Sequence, residues 1–443
     1  MASVVVLPKS FDLAQPIETL PPNTTSKLIS VRPISGGTFG PQATIECDLL
    51  SQGWLQPESL SIRYKMRVNT DVSGAALIGI PVFTAFNRLS CSINGVTIDS
   101  IANYNQVMSV YCAGNLSIAD KYGAQAMYGF SNPDPSGNTG NMEYLDGRAF
   151  EASIADASSN STFTLAAPLF GTLLSSAEKC IPLGALPTVR FTFNLESLAN
   201  MSFAKIGAVG VGYAPFTKVE IYNFELCYNS IDMPAADQML ASLGRQVMIK
   251  AHGLNNSTVT VPSGSSGSQS YVFNQRFTSI RNAFLVPTRA DGNGNKWAEI
   301  SDLTNGNGSY QLSIAGVPYP PQPLSTALNV NGALVETRRA FGSLFDNKNS
   351  LSINNAEYDT YINDASNNLF YYEPGKAIFG VSLSKIGVGD SVQMAGVSTA
   401  NSAVTANVEI NTATTVAGSL SLLLDYDAIL VIDPMARQIA VRS

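Results

Sequence analysis

Histidine does much of the acid–base and metal chemistry of proteins, and this chain has one, His252. Any Ser–His–Asp triad or multi-histidine metal site would have to centre on it. It follows the apolar run of residues 247–249, where a lone imidazole reads as a structural residue. A second chemical candidate is Asp291-Gly292-Asn293-Gly294-Asn295, in which Asp291, Asn293 and Asn295 alternate oxygen donors as a calcium loop does at its start. The pattern then departs from that loop. Lys296 takes the sixth position, where the turn needs glycine, and Asp302 takes the twelfth, where a longer glutamate is usual. A Gly-Asn hairpin is the default reading, with calcium the alternative. The third candidate, Asp425-Tyr426-Asp427, sets two carboxylates on one face of a strand, which is either a cation site or a solvated face with Tyr426 turned inward. The solvated face is the commoner meaning. The sequence contains no phosphate loop, dinucleotide fingerprint, nucleophile elbow or CxxC pair, so it implies no cofactor and no enzymatic activity.

Cys47, Cys91, Cys112, Cys180 and Cys227 are odd in number and widely spaced, which is reducing-compartment usage and not a disulfide framework. Asn-x-Ser/Thr sequons begin at Asn23, Asn115, Asn160, Asn200, Asn255, Asn256 and Asn307, and a chain so rich in Asn, Ser and Thr produces them by chance. The net charge is −7 with no basic run, which argues against direct binding to nucleic acid phosphates. Residues 1–9 lack the charged leader and apolar core of a signal peptide. The longest apolar stretch, residues 74–86, is broken by Pro81 and is too short for a membrane helix of about 20 residues; it reads as a buried strand. Charged residues make up 13% of the chain, about half of the usual share, so much of the surface is neutral and can be covered by partners at modest desolvation cost.

These residues must be positioned by strands. In residues 60–68, Leu60, Ile62, Tyr64, Met66 and Val68 alternate with Ser61, Arg63, Lys65 and Arg67, which gives one core face and one wet face. Similar β patterns occur at 189–195, 218–228, 271–277, 283–286, 377–383 and 420–432. Polar stretches at 131–148, 255–270 and 387–415 read as long exposed loops, and the proline run of 318–323 as a stiff extended loop. Helices are few: a pattern at 118–127, and one beginning near Asp232 with Pro234 in its first turn, Gly244 at its end and Met239, Leu240 and Leu243 on one face.

The chain also looks written twice. Ser92-Ile93-Asn94-Gly95-Val96 returns half a chain later as Ser313-Ile314-Ala315-Gly316-Val317. Each copy is a strand broken by a glycine turn, followed by a helical pattern, at 105–112 and 334–345. Phe193-Asn194-Leu195-Glu196 matches Val381-Ser382-Leu383-Ser384 in pattern, and both halves close on Ile-Asp, at 231–232 and 432–433. At 443 residues the chain exceeds the size at which one core stops growing, so two β domains are expected, joined by the midpoint helix.

Two β domains in tandem, the stretch 86–99 with its glycine turn and following helix, the passage through a short helix into Val247-Met248-Ile249-Lys250, and the aliphatic closing run of 420–435 together resemble the double jelly-roll major capsid proteins of tailless icosahedral double-stranded DNA viruses, the branch of polinton-like viruses, virophages and large nucleocytoplasmic viruses. The resemblance rests on element order and apolar pattern. It implies an all-β fold of two tandem eight-stranded antiparallel jelly rolls: an extended N-terminal arm at 1–27, a first roll at 28–230, a connector helix at 231–246, a second roll at 247–435 and a C-terminal tail at 436–443. It further implies homotrimers with a pseudo-hexagonal outline that tile the facets of a virion assembled inside the host cell. Penton and minor capsid proteins would be partners, with outer loops facing a host receptor. The alternative is a secreted or surface carbohydrate-binding, adhesin-like β-sandwich, which calls for a signal peptide and paired cysteines.

Overall fold

The computed structural model describes residues 23–69, 75–77, 81–115, 127, 161–204, 217–243, 246–289, 303–304, 307–326, 330–342, 377–384, 394–411, 414 and 417–443. Asp291, Asn293 and Asn295, the loop of 131–148 and most of the 118–127 pattern lie outside them.

In the first half eight strands carry the fold: β1 (Thr25–Val31), β2 (Thr44–Asp48), β3 (Ser61–Asn69), β4 (Phe86–Ile93), β5 (Val96–Ala102), β6 (Ser161–Pro168), β7 (Val189–Leu195) and β8 (Lys218–Asp232). They form two antiparallel sheets, ordered β1-β8-β3-β6 and β2-β7-β4-β5. In the second half β9 (Val247–Val261), β10 (Gly267–Phe273), β11 (Ile280–Arg289), β12 (Gly308–Ile314), β13 (Val317–Ser325), β14 (Phe379–Ser382), β15 (Val404–Ile410) and β16 (Gly418–Asp433) form sheets ordered β9-β16-β11-β14 and β10-β15-β12-β13. Counted from the first strand of each half, the two orders are identical. Each half is a sandwich of two four-stranded sheets with the eighth strand beside the first, which is the jelly-roll arrangement. Short accessory strands extend the first sheet of each half, and among them Gln438–Arg442 pairs with β16, so residues 436–443 fold back onto the second roll.

Alternation builds the cores. In β3, Ile62, Tyr64, Met66 and Val68 are buried while Arg63 and Lys65 are exposed. Tyr64, Phe86, Phe193 and Phe224 meet inside the first roll at ring separations of 5.1–6.2 Å, and the Tyr64 hydroxyl donates to the Val82 carbonyl at 2.7 Å. Phe224 reaches that cluster through a bulge in β8, where Asn223 takes a φ of 51°. In the second roll, Tyr310 stacks on Phe379 and Phe277 on Tyr426, both at 4.0 Å.

The repeated peptide is a pair of two-residue hairpin turns. Ile93 pairs with Val96 and Ile314 with Val317, and the turn residues have positive φ in both copies: 52° and 77° at Asn94 and Gly95, 52° and 79° at Ala315 and Gly316. That is the type I′ turn whose twist suits a hairpin. Helices α1 (Tyr104–Asn115) and α3 (Val330–Ala340) follow the two hairpins, and α2 (Pro234–Leu243) joins the halves. The Trp54 indole donates to Asp237 at 2.9 Å and ties α2 to the first roll, while Met239 stays 64% exposed.

Several sequence expectations are corrected. Residues 74–86 are not one strand: Pro81 opens a four-residue helix, Pro81–Thr84, since proline suits the first helical turn. The loop read at 255–270 shrinks to 262–266, because β9 continues through polar residues whose outer face meets the first roll. The loop read at 387–415 contains β15, whose alternation of Val404, Ala406, Val408 and Ile410 is masked by alanines and threonines around it. The proline run is extended as expected, but it pairs with β12 as an edge strand, the one sheet position that tolerates missing N–H donors.

Candidate functional site at the seam between the rolls

The one histidine sits where the two rolls meet. In β9, Lys250, His252 and Leu254 share the outer face of the sheet, opposite the core, and the register places His252 beside Asp427 and Leu254 beside Asp425 of β16. Between them Tyr426 points inward. It needs the bare backbone of Gly253, where a β-carbon would overlap its ring. A bulge at the start of β11 puts Arg281 between the register positions of Ile280 and Asn282, and so turns it onto the same group.

From the first roll, the segment between β6 and β7 lies along β9 as a strap. The Leu254 amide donates to the Gly171 carbonyl at 3.0 Å, the Glu178 amide to the Lys250 carbonyl at 3.0 Å, and the His252 amide to Ser176 Oγ at 3.0 Å; Ser176 Oγ in turn donates to the His252 carbonyl. Further along the seam, Asn256 Nδ2 donates to the Ala102 carbonyl at 3.2 Å, Asn103 Nδ2 to Thr258 Oγ1 at 3.3 Å, and Ser421 Oγ to Gln106 Oε1 at 3.3 Å.

The charges here are mutually compensated. Asp427 is 1% exposed. Its Oδ2 accepts from Ser279 Oγ at 2.8 Å, while its Oδ1 lies 3.0 Å from His252 Nδ1 and 3.9 Å from Lys250 Nζ. Burial alone would raise the Asp427 carboxyl; the adjacent His252, the hydrogen bond from Ser279 and the charge of Lys250 outweigh it and hold the group below the ordinary carboxylate range. Arg281 Nη1 is 2.9 Å from His252 Nδ1, Asn282 Nδ2 donates to Asp425 Oδ2 at 2.9 Å, and Glu178 lies 3.8 Å from His252 Nε2 and 3.9 Å from Lys250 Nζ. Beside this network opens a cleft of about 670 Å³, reached by Tyr111 and Asn115 of α1 and by Arg339 and Phe341 at the end of α3.

The network looks like a triad only at a distance. Ser176, His252 and Asp427 are neighbours, yet the Ser176 hydroxyl bonds the main chain of His252 and the imidazole is engaged by Arg281 and Asp427, so no base addresses the hydroxyl. Asp425 and Asp427 are not the solvated face that their spacing suggested. A second layer of protein covers them, and interspersed cations cancel the field that a bound cation would need. Among the described residues no group of three or more His, Cys, Asp or Glu side chains could hold a metal ion. His252 is held at the seam by its main-chain bonds to Ser176 and by the charged groups around its ring; Arg281, Glu178 and Ser176 were not foreseen, because the bulge and the strap that deliver them leave no periodic signal.

A second buried carboxyl backs the strap. Asp99 of β5 is 6% exposed and accepts from the Leu173 amide at 2.9 Å. Burial raises its pKa to about 7, against the lowering effect of the Leu173 and Ser100 amides. Cys47, Cys91, Cys112 and Cys227 are buried and form no disulfide among the described residues, and burial pushes Cys47 up to about 12. Asn256, one of the sequons, is 8% exposed with its amide bonded across the seam. No helix among the described residues is long and apolar enough to cross a membrane.

Two rolls of identical strand order, locked edge to face, define the double jelly-roll class. No protein-family model matches the chain, and no curated protein matches it in sequence. Solved structures do. The chain is similar to the PBCV-1 virus capsid at 12% identity and a TM-score of 0.59, over 97% of this chain and 99% of that one. It is similar to the Sputnik virophage structure at 14% identity and a TM-score of 0.57, over 100% and 93%. It is similar to the mavirus major capsid protein at 11% identity and a TM-score of 0.54, over 100% and 95%. The shared feature is the double jelly-roll fold along essentially the whole length.

Proposed function

We propose that this chain is the major capsid protein of an icosahedral double-stranded DNA virus, and that it works as a homotrimer whose six rolls give a pseudo-hexagonal tile. The observation that carries the reading is the twofold repetition of one strand order in the two halves of the chain, joined along an extended seam. A unit of two like rolls supplies two sides of a six-sided outline, and three copies complete it. The role is structural, and its chemistry is that of surfaces. The low charge content suits wide subunit contacts, and the quiet thiols suit assembly in a reducing cell. Weaker contacts between tiles would let assembly errors correct themselves, with penton and minor capsid proteins at vertices and beneath facets, and a host receptor meeting the outer loops.

The test is the solution mass of the purified, reduced protein by light scattering coupled to size exclusion, with negative-stain imaging of the same peak. A stable trimer of the 47.0 kDa chain with a hexagonal outline is expected. A monomer that persists across salt and concentration overturns the reading and favours the adhesin-like alternative.

A further inference from the structure

Two neighbours make opposite demands on one ring nitrogen of His252. Arg281 Nη1 lies 2.9 Å from Nδ1, and Asp427 Oδ1 lies 3.0 Å from the same atom. A guanidinium only donates, so the first contact needs a lone pair on Nδ1; an ionised carboxylate only accepts, so the second needs a hydrogen there. Asp427 is held below the ordinary carboxylate range against the effect of its burial, so it is ionised at neutral pH. Its Oδ1 is buried and, among the described residues, has no hydrogen-bond partner, as expected when Nδ1 carries a lone pair.

The number of protons on the ring decides between two arrangements. With one proton, on Nε2, Nδ1 accepts from Arg281 and the Nε2 hydrogen faces Glu178 of the strap across 3.8 Å. The other neutral tautomer is disfavoured twice, since it sets an N–H against the guanidinium and a bare Nε2 against the Glu178 carboxylate. With two protons, Nδ1 donates to Asp427 while Nε2 still faces Glu178, so a charged ring stands between a carboxylate of the second roll and one of the first. Arg281 is then repelled, and Asp425 Oδ2, 3.9 Å from its Nε, is there to receive it. Ser176 holds the His252 main chain in both arrangements. The other charged or titratable groups around the ring are Lys250 on its own strand, Arg339 at the end of α3 and Tyr111 of α1. Lys250 Nζ is 3.9 Å from both Glu178 and Asp427, Arg339 is paired with Glu336 at 2.8 Å, and burial raises the Tyr111 phenol and keeps it neutral.

We propose that His252 is a proton-operated clasp between the rolls: protonated, it draws Asp427 and Glu178 together across the seam, and neutral, it releases them and holds Arg281 instead. Imidazole is the side chain that gains and loses a proton between about pH 5 and 8. The strap is therefore held more firmly on β9 in mild acid than in mild alkali. The clasp belongs to the single chain and operates in any oligomeric state.

The test uses the full-length, tag-free protein with nitrogen-15-labelled histidine, in which one residue supplies every ring signal. The hydrogen should sit on Nε2 alone at about pH 8 and on both nitrogens at about pH 5. A hydrogen on Nδ1 at the alkaline pH overturns the proposal. Hydrogen exchange of the strap and of β9 around His252, corrected for the intrinsic pH dependence of amide exchange, gives the second readout. Protection in the wild type should be at least about fivefold greater at the acid pH. His252→Asn and Glu178→Gln should each lose that gain. Asp99, raised by burial to about 7 behind the strap, acts in the same direction, but all three proteins contain it and its contribution cancels. A wild type without the gain, or a gain equal in all three proteins, overturns the proposal. If His252→Asn fails to fold, Glu178→Gln, at a side chain 30% exposed, and the nitrogen signals decide.

Discussion

At the scale of single residues, the seam separates two carboxyls that respond to pH in opposite senses. Asp427 is held below the ordinary range, so it contributes stability above about pH 4 that is lost as pH falls through its depressed native value. Asp99 is raised to about 7 from an ordinary value of 3.8, so between those values the native state binds more protons than the unfolded one. Stability therefore falls as pH climbs from about 4 to about 7, and the deficit stays constant above that. Three pKa units correspond to at most about 4 kcal/mol, and about 2 kcal/mol is a safer expectation for a strand that can relax. Asp99→Asn keeps an oxygen for the Leu173 amide and removes the ionisation. Its melting temperature should exceed that of the wild type at pH 8 and match it at pH 4. A variant that melts lower at pH 8 would show instead that Asp99 is ionised and usefully paired.

At the scale of elements, the two β-hairpins give a direct comparison of residue choice at one backbone position. Asn94 and Ala315 have the same φ of 52°, and only asparagine tolerates it readily. Ala315→Asn should therefore stabilise the second roll by about 0.5–1 kcal/mol, while Gly95→Ala should cost about 1 kcal/mol through φ alone, because no atom crowds a β-carbon there. Thermal melts of the two variants in opposite directions would confirm the turn type; a neutral Ala315→Asn would refute it. Elements with a periodic signature were legible in the sequence: β3, β7, β8, the hairpin echo and the connector helix. The echo of Ile-Asp was legible too, since the eighth strands of both rolls end on it, at Asp232 and Asp433. The end of β9 was read as loop because Asn255 to Thr260 is polar. Alternation predicts a strand only when one face meets apolar core, and here Asn255, Ser257 and Val259 are only half-buried while, on the other face, Asn256 is buried against the first roll and Thr258 and Thr260 are exposed.

At the scale of the whole molecule, the same rule explains why the two halves look so different in sequence while sharing one topology. β8 alternates polar and apolar residues because its sheet has one wet face in the single chain; β16 is almost wholly buried, Leu423 and Ser421 included, because the first roll covers its outer face. A continuous apolar run in the last strand was thus a record of the seam, but one sequence cannot say what lies on the far side of a strand. The seam is closed at one end by α1 against α3, where Gly114 leaves room for the Phe341 ring, itself stacked on Phe284 at 4.4 Å. A β-carbon at Gly114 would overlap that ring. Two effects compete in Gly114→Ala: alanine favours the helix by about 1 kcal/mol, and overpacking against a ring already held by its neighbour costs about 1–3 kcal/mol. Overpacking should win, so Gly114→Ala is expected to melt below the wild type despite its better helix propensity. Adding Phe341→Leu should return part of the loss, and the coupling between the two substitutions, measured as a double-mutant cycle, should reach at least about 0.5 kcal/mol. Additive effects would mean that α1 and α3 do not hold the rolls together, and that the strap and the charged network around His252 carry the seam alone.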